Sequence, residues 1–268
     1  MLSAAAVLLL TLPWLNPLAS GPSPAVVPWL VTLTLALGLI LLASLRLGTK
    51  AGTTTFVQRW AHTFALAWLL AGLFSTVIGL LQYFGLAHVL SPWVNQTGGL
   101  GEAFANLRQR NQFASLTNIS LVALVWIILQ TQATGGSLQG DKQKLALIGL
   151  MAAGLLAIGN AISSSRTGLL QLLLICILSG VWGGWRLVWI RRLLLCAVLA
   201  YVVAVFAMPY FAGLDVFARG ALSRMGQDDA CSSRLLLWSN VLHLIAQKPW
   251  LGWGWGELDY AQIGRAHV

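Results

Sequence analysis

Apolar runs of about the length needed to cross a bilayer recur along this chain, at roughly 3 to 16, 27 to 45, 61 to 85, 113 to 130, 145 to 162, 168 to 185 and 193 to 212. A hydrocarbon core about 30 Å thick takes about 20 helical residues to span. Inside lipid the backbone must satisfy its own hydrogen bonds, which leaves helices or a closed barrel. The runs are continuously apolar and do not alternate as barrel strands do, so helices are expected. Only 9% of the residues are charged and 58% are hydrophobic, against about 25% charged in soluble domains. The fold class that follows is all-α: a polytopic transmembrane helical bundle of about seven spans. The first run starts at Met1 with no basic residue before it and is followed by Pro13, Pro17 and GPSP. It reads as a retained span and not as a cleaved signal.

The net charge is +9, which in a soluble protein would point to nucleic acid. In a membrane protein, basic residues collect first in cytoplasmic loops. Arg46, Lys50, Arg59, Lys142, Lys144, Arg186, Arg191 and Arg192 fall in alternate loops with Asp141 as their one acid. Seven spans with a cytoplasmic N-terminus fit that order. Arg108, Arg110, Arg166, Arg219, Arg224, Arg234 and Lys248 then lie outside, where the insertion bias does not account for them. All but one are arginine, whose planar fork grips phosphate or carboxylate through paired hydrogen bonds. Arg219 and Arg224 have a simpler use, balancing Asp215, Asp228, Asp229 and Glu257 on a solvated loop.

Three segments concentrate chemistry on that side. Residues 95–114, NQTGGLGEAFANLRQRNQFA, pass from glycines into Asn106, Arg108, Gln109, Arg110, Asn111 and Gln112 just before the fourth span. So dense a cluster of donors suits a ligand headgroup. SSSRTG, Ser163 to Gly168, sits between two apolar runs and places Arg166 at or just below the membrane surface. An arginine at such depth costs up to about 3 kcal/mol to insert, so it is a functional candidate by default, snorkelling to the interface being the alternative. The serines there suit a helix cap, with backbone N–H groups open to an anion. Residues 224–257 contain an amphipathic pattern from Ser233 to Gln247, ended by Lys248 and Pro249, as expected of a helix lying in the interface with Ser232 or Ser233 as its cap. The tryptophan and glycine run from Trp250 to Gly256 suits an interfacial anchor, or stacking on a sugar.

Histidine is the usual general base near neutral pH, and His88 and His243 lie on the outer side, though in no spacing with a carboxylate; His62 reads as structural. Cys176 and Cys196 fall in spans, Cys231 stands alone, and no metal-ligand spacing occurs. No metal or other cofactor is expected.

Taken in order, LPWLNP, ANLRQRNQFA, SSSRTG and SRLLLWSN…KPWLGWGWGE resemble the bacterial O-antigen ligase superfamily. The first two look most like its protein O-oligosaccharyltransferase branch, the pilin glycosylation ligases. The resemblance implies a membrane glycosyltransferase of the bacterial inner membrane that moves a glycan from undecaprenyl diphosphate to a protein serine or threonine hydroxyl on the periplasmic face. It implies Arg166 and Arg234 as diphosphate contacts, Arg110 as a third with Asn111 and Gln109 beside it, and a general-base histidine beyond Gln262. The implied partners are the lipid-linked donor, a pilin-like acceptor protein or lipid A core, and membrane lipid, with no nucleic acid. Transfer to lipid A core, or polymerisation of O-antigen, stands as an alternative. So do a flippase for a lipid-linked anion, which would need ionisable groups along a path through the bundle, and a membrane scaffold.

The expected organisation is a transmembrane bundle over 1–212 and the start of a large periplasmic loop over 213–262. The last six residues, IGRAHV from Ile263 to Val268, read as a translated sequencing adaptor, which would make the chain a C-terminally truncated fragment, inactive alone.

Overall fold

The computed structural model describes residues 2–16, 18, 26–47, 53–107, 109–133, 139–215 and 229–253. Among them every regular element is helical. The α-helices are α1 (Leu2–Thr11), α2 (Val26–Leu47), α3 (Thr53–Tyr83), α4 (Arg110–Ala133), α5 (Gln139–Ile162), α6 (Arg166–Val181), α7 (Val188–Phe211) and α8 (Asp229–Gln247). Among the described residues, four segments are long and apolar enough to cross a membrane: Val57–Tyr83, Arg110–Gln132, Gln143–Ile162 and Val188–Phe211. Ala4–Leu15, Trp29–Ser44 and Arg166–Val181 are shorter apolar helices. The expected helical membrane bundle is therefore found, with each of the seven apolar runs in a helix.

The chain divides into two compact units, Met1–Leu222 and Ser223–Val268. In the first, α3, α4 and α5 pack on one another, α7 lies against α5, α1 against α3, and α6 chiefly against α4. Small residues let these backbones approach, as expected where lipid is as apolar as the side chains and packing must hold helices together. A Cβ on Gly72 would lie 2.6 Å from Ser120 Cβ, and one on Gly159 would lie 2.9 Å from Thr76 Cγ2. Ser120 Oγ donates across the same contact to Trp68 O, 2.6 Å away, and to Leu116 O in its own helix.

The ends of α3, α5 and α7 come together with the start of α4, and the start of α6 is bonded to that of α4. Tyr83, Ala103, Ala105, Phe113 and Ile162 form a buried cluster there, with Met208 and Ala212 packed on it. Arg59, Lys144, Arg186, Arg191 and Arg192 belong to the opposite helix ends. Beyond those ends, α3 through α7 contain no Asp, Glu, Lys, Arg or His in the stretches 63–83, 111–133, 145–162, 167–181 and 193–211.

Two boundaries differ from the pattern in the sequence. The sixth apolar run reaches 185, but α6 stops at Val181, and the glycine pair enters a 3-10 turn, Gly184–Arg186, with Gly183 at φ 75°. In the second unit α8 begins at Asp229, so Ser232 and Ser233 lie inside the helix and do not cap it. Its end agrees with expectation: Gln247 is the last residue, and Trp253 folds back with Nε1 donating to Leu244 O at 3.0 Å.

The Gly72 contact gives a test of packing. Gly72→Ala should destabilise the protein in detergent by about 1–3 kcal/mol, the usual effect of overpacking. Adding Ser120→Gly should restore part of the lost thermal midpoint, because the atom that clashes is then gone; an unchanged midpoint in the single variant would contradict the packing described.

Candidate functional site

The connection from α3 to α4 is built around two buried amides. Gln82, fully buried at the last turn of α3, donates from Nε2 to Asn95 O and Ala105 O, at 2.8 and 2.7 Å. Its Oε1 accepts from Phe104 N and Ala105 N, at 3.0 and 2.7 Å. One side chain thus satisfies four backbone groups that would otherwise be buried without partners, each a cost of about 1–3 kcal/mol. Asn106 does the same a residue later. Its Oδ1 accepts from Asn95 N, and its Nδ2 donates to Trp93 O and, 2.9 Å away, to Leu15 O at the end of the first apolar helix. Asn106 therefore leaves the cluster of ligand-facing donors expected from the sequence: its polar atoms are spent on the loop.

This loop delivers the start of α4. Gln109 is exposed, and its carbonyl accepts from Gln112 N and Phe113 N in the first turn. Arg110 opens the helix, half-buried, and pairs through Nη2 with Glu102 Oε1 at 2.6 Å. Asn111 is exposed, and its Oδ1 accepts from Ser165 Oγ at 2.8 Å. That bond joins the start of α4 to the start of α6.

The SSSRTG turn performs the second half of the work. Ser164 takes a left-handed conformation at φ 51° to end α5, a position that usually goes to glycine. Ser163 Oγ donates to Asn160 O and accepts from Ser165 N. Ser165 caps α6, its Oγ accepting from Gly168 N at 3.1 Å. The expected cap is present, and it leaves the amides of Arg166 and Thr167 in the first turn to face outward at the positive end of the helix dipole. Arg166 itself is exposed, with no carboxylate partner among the described residues.

Below this turn lies a polar seam within the apolar helices. Asn118 of α4 and Asn160 of α5 both donate to Gly168 O, at 2.9 and 3.1 Å, and Asn160 Nδ2 also reaches Asn118 Oδ1. Asn118 continues to Gln171 Oε1, and Gln171 Nε2 donates to Ser115 Oγ. Sequence reasoning passed over these residues because it searched the spans for ionisable groups. The signal was there in amides standing within otherwise apolar runs.

Of the residues expected to bind, Arg110, Asn111, Gln109 and Arg166 are thus gathered at two helix starts joined by one hydrogen bond. Arg234 falls in α8 of the second unit, and its side chain lies outside the described residues, as do Arg108, Arg219, Arg224 and residues 254–268. His88 is exposed in the 3-10 turn Ala87–Leu90, where Nδ1 lies 2.9 Å from Gly85 O. His243 is exposed in α8, with Nε2 2.9 Å from Gln247 Nε2. Among the described residues no three His, Cys, Asp or Glu side chains converge as a metal site would require.

Residues 150–268 match the family described as O-Antigen ligase, and residues 103–127 match that described as Protein glycosylation ligase. These matches agree with the resemblance to the O-antigen ligase superfamily carried by the sequence motifs. The O-antigen ligase match takes in SSSRTG and α8, and the glycosylation ligase match takes in Gln109, Arg110 and Asn111, so the two matches meet at the Asn111–Ser165 bond. A ComP-specific O-oligosaccharyltransferase of Acinetobacter baylyi is 25% identical over 163 residues, 61% of this chain. The matched stretch is 27% of that relative's length. No solved structure matches the chain.

Gln82→Leu tests how the site is held. Amide hydrogen exchange over residues 95–107 should rise about tenfold or more, the equivalent of about 1.4 kcal/mol of opening free energy. Exchange in α7 should be little changed. Equal protection of 95–107 in both proteins would show that the loop does not depend on Gln82.

Proposed function

We propose that the chain carries the donor-binding part of a transferase that moves a glycan from undecaprenyl diphosphate to a serine or threonine hydroxyl of a protein, at the periplasmic face of the bacterial inner membrane. The observation that carries this reading is the hydrogen bond between Asn111 and Ser165, which joins the helix start that carries Arg110 to the one that carries Arg166. A lipid-linked diphosphate brings two negative groups to the membrane surface. Two guanidinium groups and two helix N-termini on that side match it in charge.

In the transfer, the bond between the anomeric carbon and the diphosphate oxygen breaks, and the electron pair leaves with the diphosphate. The acceptor oxygen forms the new bond to carbon, and its proton passes to a base. Negative charge therefore grows on the diphosphate as the reaction proceeds, and donors fixed beforehand around that oxygen lower the barrier. Arg166 is the free guanidinium of the pair. Arg110 is held by Glu102, which fixes its direction and moderates its charge. The resemblance implies a histidine as the base; among the described residues His88 and His243 are exposed.

The acceptor is read from the protein glycosylation ligase match and from the Acinetobacter relative. A second reading, transfer to a sugar hydroxyl of lipid A core, draws on the O-antigen ligase match over 150–268. A flippase reading would require ionisable groups along a path through the bundle, and the long interior stretches of α3 to α7 contain none.

With the natural gene expressed in a host that makes the lipid-linked glycan, Arg166→Ala should cut transfer about 100-fold or more, the scale of losing one transition-state donor. Arg166→Lys should recover only part of it, since an ammonium lacks the fork. Transfer is read as the mass gained by the acceptor, protein or lipid A core, which also decides between the two acceptors. Undiminished transfer by Arg166→Ala would overturn the assignment of Arg166.

The Glu102 pair makes a further prediction. Glu102→Gln removes the carboxylate from Arg110 and should tighten donor binding several-fold at low salt, with the gain shrinking as ionic strength rises. Donor binding unchanged at every salt concentration would place Arg110 away from the diphosphate.

A further inference from the structure

Helices α3, α4 and α6 border a cleft of about 770 Å³. Its walls are mostly aliphatic with three aromatic rings: Phe64 and Trp68 from α3, Ala123 and Trp126 from α4, Leu174 and Leu178 from α6. Beside the cleft, α6 packs on α4 and not closely on α3. The seam of Asn118, Gly168 and Gln171 fixes its start against α4, while α3 packs mainly on α4 and α5.

Polarity within the cleft is confined to one end, at Ser115, Asn118 and Gln171. Ser115 lies five residues after Arg110, and Gln171 lies five after Arg166. At 1.5 Å per residue each is about 7.5 Å below its arginine. The α4 wall then continues from Ser115 to Trp126, about 16 Å further along the helix. One continuous surface therefore runs from two arginines and two positive helix ends, past a short polar collar, into an apolar trough in the membrane-spanning part of the bundle. Its polarity is that of an amphiphile with an anionic head and one long hydrocarbon chain.

We propose that this cleft seats the head-proximal isoprene units of the donor's polyprenyl chain. The proposal rests on the donor reading above and adds to it where the tail lies and which residues touch it. The collar is the level at which diphosphate gives way to hydrocarbon, and Trp68 and Trp126 flank the chain. Filling the trough should weaken binding of the donor without altering the arginines, because Ile119 and Leu174 line the cleft from partly exposed positions on α4 and α6.

The test is photolabelling of the protein in vesicles of phosphatidylethanolamine and phosphatidylglycerol. The probe is undecaprenyl diphosphate with a diazirine in its first isoprene units, and the control is phosphatidylglycerol with a diazirine in an acyl chain. The polyprenyl probe is expected to label peptides 115–126 or 171–178, and excess unlabelled undecaprenyl diphosphate should reduce that labelling about fivefold or more, some 1 kcal/mol of specific binding. Ile119→Trp and Leu174→Trp should each reduce it comparably. Leu147→Trp, on an exposed face of α5 away from the cleft, should not. Competable labelling confined to other helices would overturn the cleft and leave the donor reading standing. Equal labelling by the phosphatidylglycerol control, with no competition at 115–126 or 171–178, would show ordinary bilayer lipid there and overturn the proposal. Absence of competable labelling anywhere on the protein would overturn the donor reading itself.

Discussion

The carbonyl of Gly168 accepts from Asn118 and from Asn160, and the position of α6 depends on that junction. A helix carbonyl with two amide donors converging on it is a strong local constraint in lipid, where no water competes for either partner. The junction requires glycine: a Cβ at residue 168 would lie 2.2 Å from Asn160 Oδ1 and 2.6 Å from Ala114 Cβ. It brings α4, α5 and α6 together one turn below the surface. Everything above it, from the Ser165 cap to Arg166, inherits its placement from that point.

From there the site and the cleft have a common origin. The seam draws the start of α6 onto α4, which lets Ser165 reach Asn111 and sets Arg166 near the helix start that carries Arg110. It also leaves the lower part of α6 standing off from α3, which opens the apolar trough. A polar end and an apolar trough thus lie in continuity along α4 and α6. At the other side of Arg110, Gln82 and Asn106 stitch the preceding loop to α3 and to the first apolar helix, so the guanidinium is presented from a rigid base.

Much of this was legible in the sequence. The apolar runs had to become helices, because lipid allows no other local solution for a continuously apolar backbone. SSSRTG had to be a helix junction, since serine hydroxyls cap and the next run was apolar, and Arg166 followed as an exposed residue at a helix start. Less legible were residues whose value depends on what they meet. Asn106 looked like one more donor in a polar string, yet it is consumed by Leu15 O, 91 residues away, and by the loop itself. Glu102 gave no sign that it would hold Arg110. The serines at 232 and 233 resembled caps because capping chemistry is local, but Asp229 starts the helix earlier.

By itself, then, the sequence determined the class of fold, the helical runs and the junction residues, because hydrophobic length, capping and charge act over a few residues at a time. The tertiary structure decided which of the polar residues face a ligand and which hold the bundle together. Asn106, Asn118, Asn160, Gln82 and Gln171 are amides with the same local chemistry as Asn111, and only their partners distinguish them. Those partners lie on other helices or across the loop before α4, at distances along the chain that no local pattern encodes. Burial forces such amides to pair, and the pairing fixes where Arg110 and Arg166 stand.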